Sequence, residues 1–330
     1  MKSTENGQAL SEFEVIAKYF SKPATNGVVG VGDDCGIFSV RPGFQLAVST
    51  DTLIEGRHFY SDVDPKALGH KALAVNLSDL SAVGAIPKGC LLALSLPSIN
   101  PRWLDDFSRG FYQLAQTSGC LLLGGDTTRS PKHIVLTVTV FGEVPIAQAL
   151  LRSKAQPDDD LWVTGSLGAP FAALQVSEGH WQLEPALLKE AKQRLHWPEP
   201  PYQWAPELIG HAHAAIDISD GLIQDLNHIL VASQCGAKVF CADIPQHPVL
   251  DKLSHEQKYQ AILGGGDEFQ LCFTAPKTSR AFILDSARKA NVAVKRIGKI
   301  TETPKLEVFD FSSRPFAADS TQVVGFDHFL

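Results

Sequence analysis

The sequence predicts a two-domain α/β protein built on mixed sheets, with α+β character, and three observations carry that reading. Strand-like and helix-like signals alternate along most of the chain. A polar junction at Pro145 and Pro157-Asp158-Asp159-Asp160 interrupts the alternation near the middle. The 330 residues, 44% of them hydrophobic, suffice for two separate cores. The expected division is residues 1–150 and 151–330.

Leu10, Phe13, Ile16, Ala17 and Phe20 recur at helical spacing and predict a helix over residues 9–20. Glycine- and proline-bearing punctuation runs from Pro23 to Gly36, followed by a strand over Gln45–Ser49. Asp64 and Pro65 make a cap and first-turn pair for a long helix over 65–84. Strands are expected at Leu91–Leu96, Leu121–Leu123 and Ile134–Gly142, with a helix near Arg102–Thr117. Past the junction, Leu161–Thr164 opens a second series. Strands at 214–218, 237–241, 269–274 and 292–300 alternate there with helices at 222–234, 255–262 and 278–290. Gly124-Gly125-Asp126 and Gly265-Gly266-Asp267 echo each other, but two short matches do not establish a duplication.

Composition narrows the function. Lys plus Arg number 29 against 36 Asp plus Glu, for a net charge of −7. That excess argues against a nucleic-acid partner, which needs clustered cations. It leaves room for a phosphorylated small molecule, because bound metal ions can bring the missing positive charge. The six cysteines, Cys35, Cys90, Cys120, Cys235, Cys241 and Cys272, form no C-x-x-C pair and read as free thiols in a reducing compartment. The polar N-terminus and the lack of an 18-residue apolar run predict a cytoplasmic protein with no membrane span.

The informative feature is where certain aspartates stand. Five motifs place them beside glycines, at the ends of apolar strands or on an apolar helix: Gly32-Asp33-Asp34, Ser49-Thr50-Asp51, Asn76-Leu77-Ser78-Asp79, Gly124-Gly125-Asp126-Thr127-Thr128 and Asp217-Ile218-Ser219-Asp220-Gly221. In the last, Asp217 and Ser219 share one face of a strand by period two, and Asp220-Gly221 turns the chain toward a helix. Carboxylates so close repel and desolvate one another unless a cation sits among them, and oxygen-only sets suit Mg²⁺. Each motif alone also fits an ordinary turn, cap or satisfied core aspartate. Five together point to a site for polyphosphate and metal.

Familiar phosphate-binding strings are missing. There is no G-x-x-x-x-G-K-[ST], no H-R-D or D-F-G, and Cys35 stands where a dinucleotide fingerprint needs its third glycine. Taken in order, Gly32-Asp33-Asp34-Cys35, Ser49-Thr50-Asp51-Thr52-Leu53, the stretch from Lys71 to Leu80, Gly124-Gly125-Asp126-Thr127-Thr128-Arg129, Ile216-Asp217-Ile218-Ser219-Asp220-Gly221-Leu222 and Gly325-Phe326-Asp327-His328-Phe329 are another matter. They resemble the thiamine-monophosphate kinase family, of the aminoimidazole ribonucleotide synthetase superfamily. The resemblance runs from about residue 10 to the C-terminus.

That resemblance implies direct transfer of the ATP γ-phosphoryl group to thiamine monophosphate. It implies several Mg²⁺ ions held by Asp33, Thr50, Asp51, Asp79, Asp126, Asp217 and Asp220, with Ser49 assisting. Gly125, Asp126, Arg152 and Ser219 are implied for ATP, and His58, Asp267 and Phe326 for thiamine monophosphate. A homodimer pairing N-terminal sheets is implied too, and the apolar runs at 91–96 and 134–142 fit its interface. The physics agrees with this division of labour. ATP and a phosphate monoester bring roughly six negative charges together, so metals and positioning supply the catalysis and no general base is nominated. The chain departs from the family's usual Gly-Gly-Glu-Asp-Tyr-Glu at Gly265-Gly266-Asp267-Glu268-Phe269-Gln270. The alternatives are another ATP-dependent enzyme of the superfamily or a catalytically silent metabolite-binding relative.

Overall fold

A computed structural model describes residues 10–22, 28–32 and 34–316. The chain divides into two compact units, each discontinuous in sequence: Met1–Arg41, Val48–Asn76 and Pro87–Phe141, and Pro42–Ala47, Leu77–Ile86 and Gly142–Leu330.

Most of the first unit is a four-stranded sheet with helices. The strands are β1 (Phe44–Ile54), β2 (Ile86–Leu96), β3 (Leu121–Arg129) and β4 (Val135–Pro145), in the order β1-β4-β2-β3. Helices α1 (Glu12–Val15), α2 (Pro65–Ala82) and α3 (Pro101–Ser118) accompany them. The expected helix over 9–20 begins at Ser11, whose capping box with Glu14 starts α1, and it ends in a π-helical turn. In α3, Asn100 caps the first turn, Gly119 ends the last in the left-handed region, and Leu104, Phe107, Phe111 and Leu114 line one buried face.

Two strands outrun their sequence signals. β1 continues past Ser49 to Ile54, so Ser49-Thr50-Asp51 lies in mid-strand, not at its end. β3 runs straight through Gly124-Gly125-Asp126-Thr127-Thr128, where the pattern suggested a loop. Parallel pairing with β2 supplies the reason: Ala93 stands opposite Asp126 and Leu94 opposite Thr127, across a register shift at Cys90/Leu91. The apolar residues of β2 and β4 that alternate inward, Leu92, Leu94, Leu136, Val138 and Val140, are core residues of this chain. The exposed stripe is instead on β1, at Val48, Thr50, Thr52 and Ile54.

The second unit holds a six-stranded sheet of β5 (Asp160–Thr164), β6 (Ala214–Ile218), β7 (Gly236–Phe240), β8 (Gln270–Ala275), β9 (Val294–Thr301) and β10 (Leu306–Phe309). Its order is β10-β7-β9-β5-β8-β6, parallel only between β10 and β7. Helices α4 (Ala169–Ser177), α5 (Pro185–His196), α6 (Leu222–Ser233), α7 (His255–Tyr259) and α8 (Arg280–Lys289) complete it. Alternate strand residues feed two cores. Leu161, Val163, Ile216, Ile218 and Cys272 pack with α4 and α6. Trp162, Ala215, Leu271 and Phe273 pack on the other face with Ile283 and Ala287 of α8. Asp217 falls on this second face by the same alternation.

Candidate active site

The turn after β6 is densely hydrogen-bonded. The strand pairs with β8 through Asp217 opposite Leu271 and Ile218 opposite Gln270, and Ser219-Asp220-Gly221 then leads into α6. Asp225, in the first turn of α6, accepts three successive backbone N–H groups on its Oδ2. Ser219, Asp220 and Gly221 each donate at 3.1 Å. Gly221 has φ +125°, and a Cβ there would lie 2.7 Å from the Gly264 carbonyl oxygen, so no other residue fits without strain. Asp217 is buried, and its Oδ2 accepts from Ser78 Oγ at 2.9 Å. Asp79, one residue beyond Ser78 on α2, is half-buried.

The glycine-rich segment before β8 is clamped on this turn. Asp267 N–H donates to Ser219 O and Phe269 N–H to Ile218 O, both at 2.8 Å. Asp267 and Phe269 take φ of +62° and +50°, an uncommon backbone for side-chain-bearing residues. Between them, Glu268 points inward and accepts from Gly168 N–H. Gln270 accepts from Thr164 Oγ1 at 2.8 Å and donates through Nε2 to the Glu199 carbonyl at 3.0 Å. This accounts for the amide where the family pattern has a carboxylate: the position needs a donor and an acceptor at once. A cleft of about 260 Å³, lined in part by Ser166, Arg194, Glu199, Glu268 and Gln270, opens beside it.

Burial dominates the electrostatics here. It pushes Asp225 up to about 7, opposed by the three N–H groups and reinforced by the Asp220 charge. Burial likewise raises Glu268 well above the carboxylate range, with the Gly168 N–H opposing and the Asp267 charge adding to the rise.

In the first unit, Asp51 N–H donates to Asn76 Oδ1 at 3.1 Å, and Asn76 Nδ2 donates to the Ala72 carbonyl. The fully buried Asn76 thus ties the middle of β1 to α2. Thr50 Oγ1 donates to the Val138 carbonyl at 3.1 Å and lies 3.0 Å from Thr139 Oγ1, while Ser49 faces the other way and is half-buried. His58 sits in the turn after β1, where its Nδ1 accepts from Ile54 N–H at 3.0 Å, so the neutral ring carries its proton on Nε2. Asp126 is exposed on β3.

Gly125 has φ +155°, and a Cβ there would be 1.8 Å from the Leu92 carbonyl oxygen. The close approach that requires glycine is therefore to the neighbouring strand. In the second unit, Arg152 opens a 3₁₀ turn whose carbonyl accepts from Ser233 at the far end of α6 from Ser219. Asp33 and Phe326 lie outside the described residues. Among the described residues, no three His, Cys, Asp or Glu side chains gather into a metal-holding group. Asn76 and Ser78 stood in the Asn76–Asp79 motif without an expected partner, and Asp225 was not singled out from the sequence. Asp225 did carry a signal, an acid in the first turn of a helix that follows Asp-Gly.

Known proteins sharpen this picture. The model of the AIR synthase related protein N-terminal domain matches residues 32–144, and that of its C-terminal domain residues 156–311. The thiamine-monophosphate kinase of Escherichia coli K12 is 38% identical over 326 residues, covering 97% of this chain and 99% of that protein. The crystal structure of thiamine-monophosphate kinase from Stenotrophomonas maltophilia superimposes with a TM-score of 0.81 at 39% identity, covering 86% of this chain and 91% of its own. The structure of AaThiL complexed with AMPPCP and TMP does so with a TM-score of 0.75 at 27% identity, covering 91% and 92%.

Proposed function

Because the chain belongs to the thiamine-monophosphate kinase family, within the AIR synthase related proteins, we infer that it transfers the γ-phosphoryl group of ATP to thiamine monophosphate. The products are ADP and thiamine diphosphate. In this chain the reading is carried by the turn from Asp217 to Gly221, which offers acidic side chains while its backbone N–H groups are tied to Asp225.

Such a donor set fits Mg²⁺. Asp217 and Asp220 offer hard oxygens without a closed cage, and Mg²⁺ is held by one or two carboxylates completed by water and substrate phosphates. When bound, the ion neutralises the charge that builds between ATP and the acceptor phosphate. We propose Asp33, Thr50, Asp51, Asp79, Asp126, Asp217 and Asp220, with Ser49 assisting, as ligands of several Mg²⁺ ions. Gly125, Asp126, Arg152 and Ser219 are proposed for ATP, and His58, Asp267 and Phe326 for thiamine monophosphate. The His58 imidazole, fixed in its turn through Nδ1, is a group suited to a phosphate oxygen. The attacking oxygen is already anionic, so the side chains orient two anions and need not remove a proton.

The division into residues 1–150 and 151–330 is proposed as the functional one. A homodimer is proposed as well, supported by the exposed stripe of Val48, Thr50, Thr52 and Ile54 on β1. Six free cysteines support a cytoplasmic location. Incubating the purified chain with ATP, Mg²⁺ and thiamine monophosphate should yield thiamine diphosphate. No product, or turnover of formylglycinamidine ribonucleotide in its place, would overturn the reading.

A further inference from the structure

We propose that Asp225 is a positioning residue that closes the Asp217–Gly221 turn to direct anion binding and turns it into a cation-recruiting one. Backbone N–H groups at a helix N-terminus ordinarily make an anion site, because they are unpaired and point outward at the positive end of the helix. In the turn that leads into α6, the N–H groups of Ser219, Asp220 and Gly221 all end on one buried carboxylate oxygen. The helix supplies the turn's acceptor from its own chain. A phosphate that comes to this turn then meets side-chain oxygens of Asp217, Ser219 and Asp220, and the acidic pair attracts it only through a cation.

Two features show that the arrangement is built. Gly221 is at φ +125° against the Gly264 carbonyl, which bends the chain back so that the three N–H vectors converge. The Asp267 and Phe269 N–H groups grip the Ser219 and Ile218 carbonyls, which fixes the turn from the other side. Asp225 is also well placed along α6, because its own N–H donates to Gly221 O at 3.0 Å and begins the helix. The carboxylate thus satisfies the N–H groups of the turn and of the cap position Gly221 from the fourth residue of the helix.

This inference rests on the Mg²⁺–ATP reading of the turn, so its test has one arm that does not. Amide exchange in the metal-free, full-length protein should show Ser219, Asp220 and Gly221 protected, and Asp225→Ala should speed their exchange about 10- to 100-fold over the rest of α6. Asp225→Asn keeps an acceptor oxygen and should retain most of that protection. In the second arm, calorimetry of ATP binding should show the half-saturating Mg²⁺ concentration rising at least about tenfold in Asp225→Ala and less in Asp225→Asn. KM for thiamine monophosphate should stay within about threefold while kcat falls. Unchanged exchange at the three amides in a folded Asp225→Ala protein overturns the proposal whatever the activity. If that variant fails to fold, Asp225→Asn decides: exchange at the three amides as fast as in an unprotected loop overturns it, and retained protection supports it. Altered exchange with an unchanged Mg²⁺ requirement overturns the cation-recruiting half.

Discussion

Gly124-Gly125-Asp126-Thr127-Thr128 and Asp217-Ile218-Ser219-Asp220-Gly221 read alike as strings: glycine, aspartate and small hydroxyls beside an apolar strand. The first never leaves its strand. Its glycine answers the Leu92 carbonyl of the neighbouring β2, and its aspartate stands exposed on the sheet. The second breaks from β6 after Ile218 and is held on three sides, by Asp225, by Ser78 and by the segment before β8. A glycine beside an aspartate therefore reports only that the backbone comes close to something. Whether that is a neighbouring strand, as Leu92 is to Gly125, or a packed segment, as Gly264 is to Gly221, depends on contacts far away in sequence.

The comparison predicts opposite consequences for single changes in the two places. Asp217→Asn should cut kcat/KM by ~10²–10⁴, about 3–5 kcal/mol of transition-state stabilisation, because it takes charge from the proposed metal ligands. Its thermal midpoint should barely move, since asparagine still accepts from Ser78 Oγ. Near wild-type turnover would remove Asp217 from the site.

Gly125→Ala should do the reverse. The new methyl collides with backbone at Leu92 and the residue is held at φ +155°, so neither neighbour can yield cheaply. A loss of about 3 kcal/mol or more in denaturant unfolding is expected. If the alanine variant keeps its stability and loses only ATP affinity, the Leu92 carbonyl is not what requires the glycine and the contrast fails.

Much of this was legible in advance because it is local. Strand 214–218 has the expected bounds, and Pro65 begins α2 as its cap pair with Asp64 implies. What was missed has identifiable causes. Helix α4 buries Ala169, Pro170, Ala172 and Ala173 and shows no polar–apolar period to read. Helix α5 did carry a signal, Pro185 at its first position with Leu187, Ala191 and Leu195 at helical spacing. β3 looked short because Gly124 and Gly125 mimic a turn, and only pairing with β2 keeps it extended. The Ser78–Asp217 bond joins residues 139 apart, which no local pattern encodes. The aspartates of the proposed site were readable as a set. The groups that hold them were not.

The smallest effect separates the two regions by pH. The segment clamped on the second-unit turn carries Glu268, a carboxyl raised by burial. Asp126 of the first region stands exposed. With its folded-state pKa above the unfolded value, Glu268 binds more protons folded than unfolded between the two. Stability from this group is then fully present below about pH 4, the ordinary glutamate value, and is lost as pH rises toward the folded pKa. Glu268→Gln keeps an acceptor for the Gly168 N–H and removes the titration. The variant should match wild type near pH 4 and exceed it by about 2–4 °C in thermal midpoint at pH 8, roughly 1 kcal/mol. A difference that is constant with pH would mean that Glu268 is not held neutral by its surroundings. One that shrinks as pH rises would mean that the carboxylate is stabilised there, and the segment before β8 would then be a second charged wall of the site.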